Sequence, residues 1–341
     1  MPTERSGPDR IQEMMTGFWV SKVLFTGVEL GIFDELANGP ASAEVLAYRL
    51  RVHPEALGRL LNALVAMELL QHDVGRYRNT PEAQSYLVGS QPTYIGGQVE
   101  HLSQLHWRLW QYLPDAVREN SPRVQQVFGP VFNILQAVSS DPQRLRTFIQ
   151  GMHNLSVPAA QEILETINLS GYKCIMDVGG GSGALAIAAV QKHPQMRGIV
   201  FDLPAVCPIA EEYILKHGVE NQVKTHSGDF FDPSTLPKDA DVIALEWVLR
   251  DWQLEQGRVI LRNCFSALRT GGAIIICEKL LERDKTKPLL ATLMDLHVMV
   301  STGGQEHTRD EYCELMESVG LRDVQVNTLK GNRDVVIGYK R

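Results

Sequence analysis

From residue 171 onward the chain alternates short β-rich runs with helical stretches, and this limits the fold more than any other feature. The runs at 173–178, 198–203, 223–227, 240–249 and 272–280 are almost continuously apolar. Helical stretches near 184–193, 205–217, 254–269 and 308–319 separate or follow them. Strands that are apolar on both faces belong to a parallel sheet covered by helices on both sides. The last two runs, 321–329 and 334–339, are joined only by Lys330-Gly331-Asn332-Arg333. A parallel crossover needs about a dozen residues or more, so these two strands must form an antiparallel hairpin. The expectation is a doubly wound, Rossmann-like α/β domain over 166–341 with an antiparallel last strand.

The preceding chain is organised differently. Residues 11–36 carry apolar side chains at helical spacing, and 42–50 and 53–70 predict two shorter helices, the first capped by Ser42. Leu69-Leu70-Gln71-His72 and Arg76-Tyr77-Arg78 flank Asp73-Val74-Gly75, the pattern of a tight hairpin. Helices followed by a hairpin suggest a mainly helical winged-helix domain over 1–100. Its second helix of the pair offers only Arg59 as a cation, so duplex DNA is a poor partner, and packing against a second subunit is the better use of so apolar a layer. Residues 95–165 read as helical throughout, with 101–165 linking the two domains. They carry Trp107, Trp110, Tyr112, Phe128, Phe132 and Phe148, available to a core or to a pocket for a flat substrate.

A net charge of −7 argues against a general nucleic-acid or anionic-membrane binder, which needs a basic surface. Cys174, Cys207, Cys264, Cys277 and Cys313 are odd in number and lack any C-x-x-C pair, so neither a zinc site nor a disulfide framework is expected. The opening residues, 2–12, are polar and lack a signal pattern, and no apolar run approaches the ~20 residues of a bilayer span. A cytoplasmic location is expected.

The chemistry gathers where the strands end. The first strand runs into Asp177-Val178-Gly179-Gly180-Gly181-Ser182-Gly183 and then a helix. Gly179, Gly181 and Gly183 permit a sharp turn and let a ligand approach bare backbone. Taken alone, such a loop would also suit a nicotinamide dinucleotide. Asp202 closes the second strand, where a carboxylate can accept both ribose hydroxyls of an adenosine. The third ends in Gly228-Asp229-Phe230-Phe231, where Asp229 can accept from an adenine amine and Phe230 can cover a ring face.

With these residues in view, the chain resembles the class I, plant-type small-molecule O-methyltransferases, which depend on S-adenosylmethionine (SAM) and include acetylserotonin O-methyltransferases and bacterial natural-product enzymes. The resemblance rests on 177–183 (DVGGGSG), 201–206 (FDLPAV), 228–231 (GDFF), 248–252 (VLRDW), 262–264 (RNC) and 303–308 (GGQEHT), and extends to the N-terminal stretch 17–36. It implies that Asp202 and Leu203 flank the ribose and adenine, that Asp229 and Phe230 contact the adenine, and that Trp252 caps the ring. It also implies that Met152 lies near the methyl donor, that no metal takes part, and that two copies pair through the N-terminal helices.

Members of that family commonly place a histidine after the fourth strand as general base, flanked by two acidic residues matched here by Glu278 and Glu306. This chain departs from them, with Val248-Leu249-Arg250-Asp251-Trp252 where the family has V-L-H-D-W. A guanidinium keeps its proton near neutral pH and cannot serve as an ordinary base. Glu246 also stands where many plant members carry a lysine. Three readings follow. Arg250 could hold the acceptor as an oxyanion; His297, His153 or Asp251 could replace the missing base; or the SAM site could serve non-methylating hydroxylase, decarboxylase or pericyclase chemistry. A plain ion pair of Arg250 with Glu278 or Glu306 is the inert alternative.

Overall fold

The computed structural model describes residues 7–91, 93–131 and 134–341; Phe132 and the opening residues 2–6 lie outside them. Two compact units divide the chain, Met1–Leu105 and His106–Arg341.

The first unit opens with α1 (Pro8–Glu29) and α2 (Ile32–Ala37), two helices where the periodicity suggested one stretch. The break falls at Gly31, whose φ of 73° ends one helix and turns the chain into the next. α3 (Ala43–Leu50) starts at Ser42, whose hydroxyl accepts from the Val45 N–H. α4 (Pro54–Ala66) buries Leu57, Leu61 and Leu64 at helical spacing. β1 (Leu70–Asp73) and β2 (Arg76–Asn79) pair antiparallel about Val74-Gly75, and Ala41 bridges Tyr77 as the third extended piece of a winged helix. α5 (Pro81–Tyr86) and α6 (Gly96–His101) follow. Arg59 on α4 pairs with Glu55 at 3.0 Å.

Residues 95–165 are not helical throughout. After a π-helical turn at Leu102–His106 come α7 (Trp107–Trp110), α8 (Leu113–Glu119), α9 (Val124–Phe128) and α10 (Ile134–Ser139), then α11 (Pro142–Thr166). Asn120 in a left-handed conformation and Gly129 at positive φ break the series. α11 is long because Asp141 caps its start, accepting from Gln143 and Arg144.

The larger unit holds a seven-stranded sheet in the order β5-β4-β3-β6-β7-β9-β8. β3 (Cys174–Val178), β4 (Arg197–Asp202), β5 (Val223–Ser227), β6 (Val242–Glu246) and β7 (Ala273–Glu278) are mutually parallel. β8 (Arg322–Asn327) and β9 (Asp334–Tyr339) form the expected hairpin, with β9 antiparallel to β7. Every residue of β3 and β7 is buried, as strands covered on both faces require. α12 (Ala184–Lys192), α13 (Cys207–Lys216), α14 (Leu254–Ala267), α15 (Leu289–Ser301) and α16 (Arg309–Ser318) complete the unit. α15 had no counterpart in the sequence reading. It is apolar on most of its surface, so its pattern lacks the one-sided stripe that marks a surface helix.

Several strands end short of the sequence reading, β6 and β7 among them. β6 stops at Glu246 rather than Leu249, because Trp247 adopts a left-handed φ of 52° and the chain enters a 3-10 turn at Leu249–Asp251. Such backbone is costly for a bulky residue and persists where the surroundings enforce it, often at functional sites. β7 likewise ends at Glu278, leaving Lys279 and Leu280 outside the strand.

The five cysteines are free, four buried and Cys313 half-buried. Among the described residues no helix is long and apolar enough to cross a membrane, and no cluster of three or more histidine, cysteine or acidic side chains is placed to hold a metal.

Candidate active site

The parallel strands deliver their C-terminal ends to one edge of the sheet, and the site is built there. The loop after β3 turns on Gly179 and Gly183, with φ of 69° and 77°. A side chain at either position would meet a neighbour at 2.7 Å: Val248 against Gly179 and Val200 against Gly183. The Gly179–Val248 approach sets the glycine loop directly against the turn that carries Arg250. Gly181 donates its N–H to Asp202 Oδ2 at 2.8 Å, and Leu203 donates to Oδ1 at 2.7 Å. Each Asp202 oxygen keeps acceptor capacity for a vicinal diol, so the residue fits a ribose. Burial pushes its carboxyl up to about 6. Asp177 is 2% exposed beneath the loop, accepts from the Ala186 N–H, and is pushed up to about 8 by burial and by Glu246. It braces the turn from below.

Leu203 stands 44% exposed at the end of β4. Beyond β5, Asp229 Oδ1 accepts from the Phe231 N–H, and the Phe230 ring lies edge-on to Phe231 at 5.1 Å and to Trp252 at 5.8 Å. Asn263, from the 262–264 motif, holds this loop by donating to the Phe230 and Phe231 carbonyls at 2.9 and 3.2 Å. Bare backbone, a carboxylate, an exposed aliphatic side chain and an aromatic cluster along one edge fit an adenosine.

The turn beside it carries the departure. Glu278 Oε1 accepts from the N–H groups of Val248 and Leu249 at 3.0 and 3.1 Å, so this carboxyl shapes the turn rather than pairing with Arg250. Arg250 pairs instead with Glu306, Nη1 to Oε1 at 2.9 Å, both side chains at 5% exposure or less. Its Nη2 donates to the Met294 carbonyl on α15 at 3.4 Å. Glu306 is fixed through its own N–H, which donates to Asp295 Oδ1 at 2.7 Å, and through Thr308, which caps α16 two residues later. Burial drives Glu278 well above the ordinary carboxyl range and Glu306 up to about 7, and each stands close to further acids. Asp251, bonded to Thr302, is pushed up to about 6 by burial. Glu278 Oε2, Glu306 Oε2 and the Tyr312 hydroxyl are buried without a hydrogen-bond partner among the described residues, a concentration unusual in a structural core.

Sequence reasoning missed Arg333. It is 1% exposed at the start of β9, where its Nε and Nη2 reach Glu246 Oε1 at 3.0 and 2.9 Å. Its guanidinium lies 3.3 Å from the centroid of the Trp247 ring, while Arg250 faces the same ring at 4.9 Å. The pairing accounts for the acid at 246. The signal was the unexpected acid itself, which needs a cation nearby.

Of the side chains read as substituting for the missing base, His297 is held by Trp110, whose Nε1 donates to Nδ1 at 3.2 Å. Indole nitrogen only donates, so this bond engages the Nδ1 lone pair of His297. His106 stacks on it at 4.0 Å. His153 lies elsewhere, against the glycine loop, with Nδ1 2.8 Å from Ser182 Oγ. Met152, next to it on α11, is half-buried.

This sheet order and this edge define a SAM-dependent methyltransferase. Comparison with known proteins identifies the family. An O-methyltransferase domain matches residues 110–322 and an O-methyltransferase dimerisation domain matches 12–89. The chain is 36% identical to the 3-hydroxy-5-methyl-1-naphthoate 3-O-methyltransferase of Streptomyces sahachiroi, over 99% of this chain and 97% of that protein. It is equally 36% identical to acetylserotonin O-methyltransferase of Bos taurus, over 99% of both. The crystal structure of human N-acetylserotonin methyltransferase in complex with SAM superposes with a TM-score of 0.92 at 32% identity, covering 100% of this chain and 99% of that one. The chain belongs to the O-methyltransferase family and is a SAM-dependent enzyme. The relatives do not favour the non-methylating reading.

Proposed function

We propose that the enzyme methylates a hydroxyl on a small aromatic or polyketide-like molecule, and that a buried carboxylate replaces the usual imidazole as proton acceptor. The observation that carries this is the Arg250–Glu306 pair. Arg250 cannot accept a proton, and its neutralisation by Glu306 leaves it ill suited to hold an oxyanion. Glu306, pushed up to about 7, has a pKa matched to general-base work near neutral pH.

Asp202 and Leu203 would hold the ribose and adenine, Asp229 and Phe230 the adenine edge and face, and Trp252 the outer side. Gly179, Gly181 and Gly183 would leave room for the ligand against the backbone, with Asp177 bracing them. When bound, SAM supplies an electrophilic methyl group on a sulfonium. Met152 and His297 would border the acceptor, His297 as a fixed N–H donor. Arg250 and Glu278 would fix Glu306 and the turn, and Asp251 would share the charge of the cluster. The relatives named for a hydroxynaphthoate and for acetylserotonin support a flat aromatic acceptor.

Two copies would pair through the first unit, where α1 exposes Met14, Met15, Phe18 and Trp19 at 55–69%. A cytoplasmic location accords with the five free cysteines. Methyl-labelled SAM and a panel of hydroxylated naphthoates, indoles and anthraquinones test the reaction. Label on a phenolic oxygen is expected. Cofactor binding without transfer to any of them would contradict it.

A further inference from the structure

The sequence reading offered His153 as a replacement base, but its contacts point to the cofactor loop. His153 Nδ1 lies 2.8 Å from the hydroxyl of Ser182, which is 3% exposed between Gly181 and Gly183. The imidazole stacks on Tyr213 of α13 at 4.1 Å with the rings 31° apart. One turn earlier on α11, Ile149 reaches within 3.8 Å of where a side chain on Gly181 would begin. A further turn back, Arg146 grips Glu212 of α13 with bonds of 2.5 and 2.9 Å. Arg146, Ile149 and His153 thus form one face of α11, clamped to α13 and laid over the glycine loop.

Left-handed glycines confer no stiffness of their own. A loop that must present N–H groups to a ligand needs its shape imposed from outside, and Ser182 offers a side-chain handle within it. We infer that His153 is a positioning residue for the SAM-binding loop, acting through Ser182. This deepens the cofactor reading proposed above and rests on it. Burial, reinforced by His217 and Lys216, holds the imidazole down at about 4, so it stays neutral across the working pH range. A neutral ring keeps one donor and one acceptor nitrogen and can share a single proton with a hydroxyl.

The test is calorimetric titration with S-adenosylhomocysteine, alongside thermal melting of the ligand-free proteins. Wild-type binding establishes the cofactor reading; its absence would sink that reading and this inference with it. Given wild-type binding, His153→Ala should weaken affinity about tenfold, and His153→Asn, which can donate or accept at a similar reach, should restore most of it. Ser182→Ala removes only a hydroxyl. It should weaken binding to a similar degree, and the double variant should lose no more than either single one. These losses should persist where the ligand-free melting temperature is unchanged, which a merely structural role would not produce. Affinity within twofold of wild type in Ser182→Ala, or additive losses in the double variant, would overturn the inference.

Discussion

At position 250 the sequence announced a departure, and the contacts say what kind it is. Arg250 is locked between Glu306, the Met294 carbonyl and the Trp247 ring. Arg250→Met should therefore leave Glu306 buried without its cation, costing on the order of 3 kcal/mol. Glu306 can escape by taking up a proton, so the loss should be larger at pH 8 than at pH 6, and chemical denaturation at the two pH values measures it. Arg250→His should retain or raise methyl transfer, since an imidazole would again stand between Glu278 and Glu306. An orders-of-magnitude fall would show that the guanidinium is needed, to hold Glu306 or to polarise the acceptor. Asp202 carries a separate expectation. Its carboxyl, at about 6, must be ionised to accept well from two hydroxyls. Affinity for S-adenosylhomocysteine should fall as pH drops through that value, and in Asp202→Asn the pH dependence should disappear. The Asp202 and Asp229 positions were legible because the β-rich runs of β4 and β5 stop plainly, at Asp202 and just before Gly228-Asp229. Arg333 was not, because its partner Glu246 lies 87 residues away on β6, and only the sheet order, with β7 alone between β6 and β9, brings the two together.

The parallel strands were readable because burial on both faces removes polar alternation and leaves plain apolar runs. The end of β6 was less so: nothing in the apolar run into Leu249 reveals that Trp247 turns left-handed, with its ring between Arg250 and the distant Arg333. The short helices α7 to α10 were read as continuous helix because their breaks rest on single residues such as Asn120. α16 shows local chemistry setting a site. Thr308 and Glu311 form a reciprocal capping box that fixes the chain just after Glu306. Thr308→Ala should cost about 1 kcal/mol, read from denaturant midpoints, and should lower turnover by loosening Glu306. Full activity in that variant would separate the cap from the chemistry.

Taken as a whole, the enzyme holds several buried acids at its working edge, and this fixes how its stability should respond to pH. Asp177 sits at about 8 and Glu306 at about 7 in the folded chain, both above their ordinary values. Between those values and the ordinary carboxyl range, the folded chain keeps protons that the unfolded chain has released, so stability falls as pH rises. His101 and His153, held near 4, act oppositely, but only below their ordinary 6.5. The melting temperature of the ligand-free enzyme should therefore decline between about pH 6.5 and 8, and Asp177→Asn should flatten that decline. Assembly is a second whole-molecule expectation: Trp19→Asp, on the exposed face of α1, should shift the sedimenting species from dimer to monomer.

The central claim is that the carboxyl edge of the sheet, from the glycine loop through Asp202 to Phe230 and Trp252, is a SAM site. Titration of S-adenosylhomocysteine into the wild-type enzyme and into Asp202→Ala tests it most directly. The account predicts one site per chain in the wild type and at least a tenfold loss of affinity in the variant. No heat and no thermal protection in the wild type, or equal affinity in the two proteins, would contradict it.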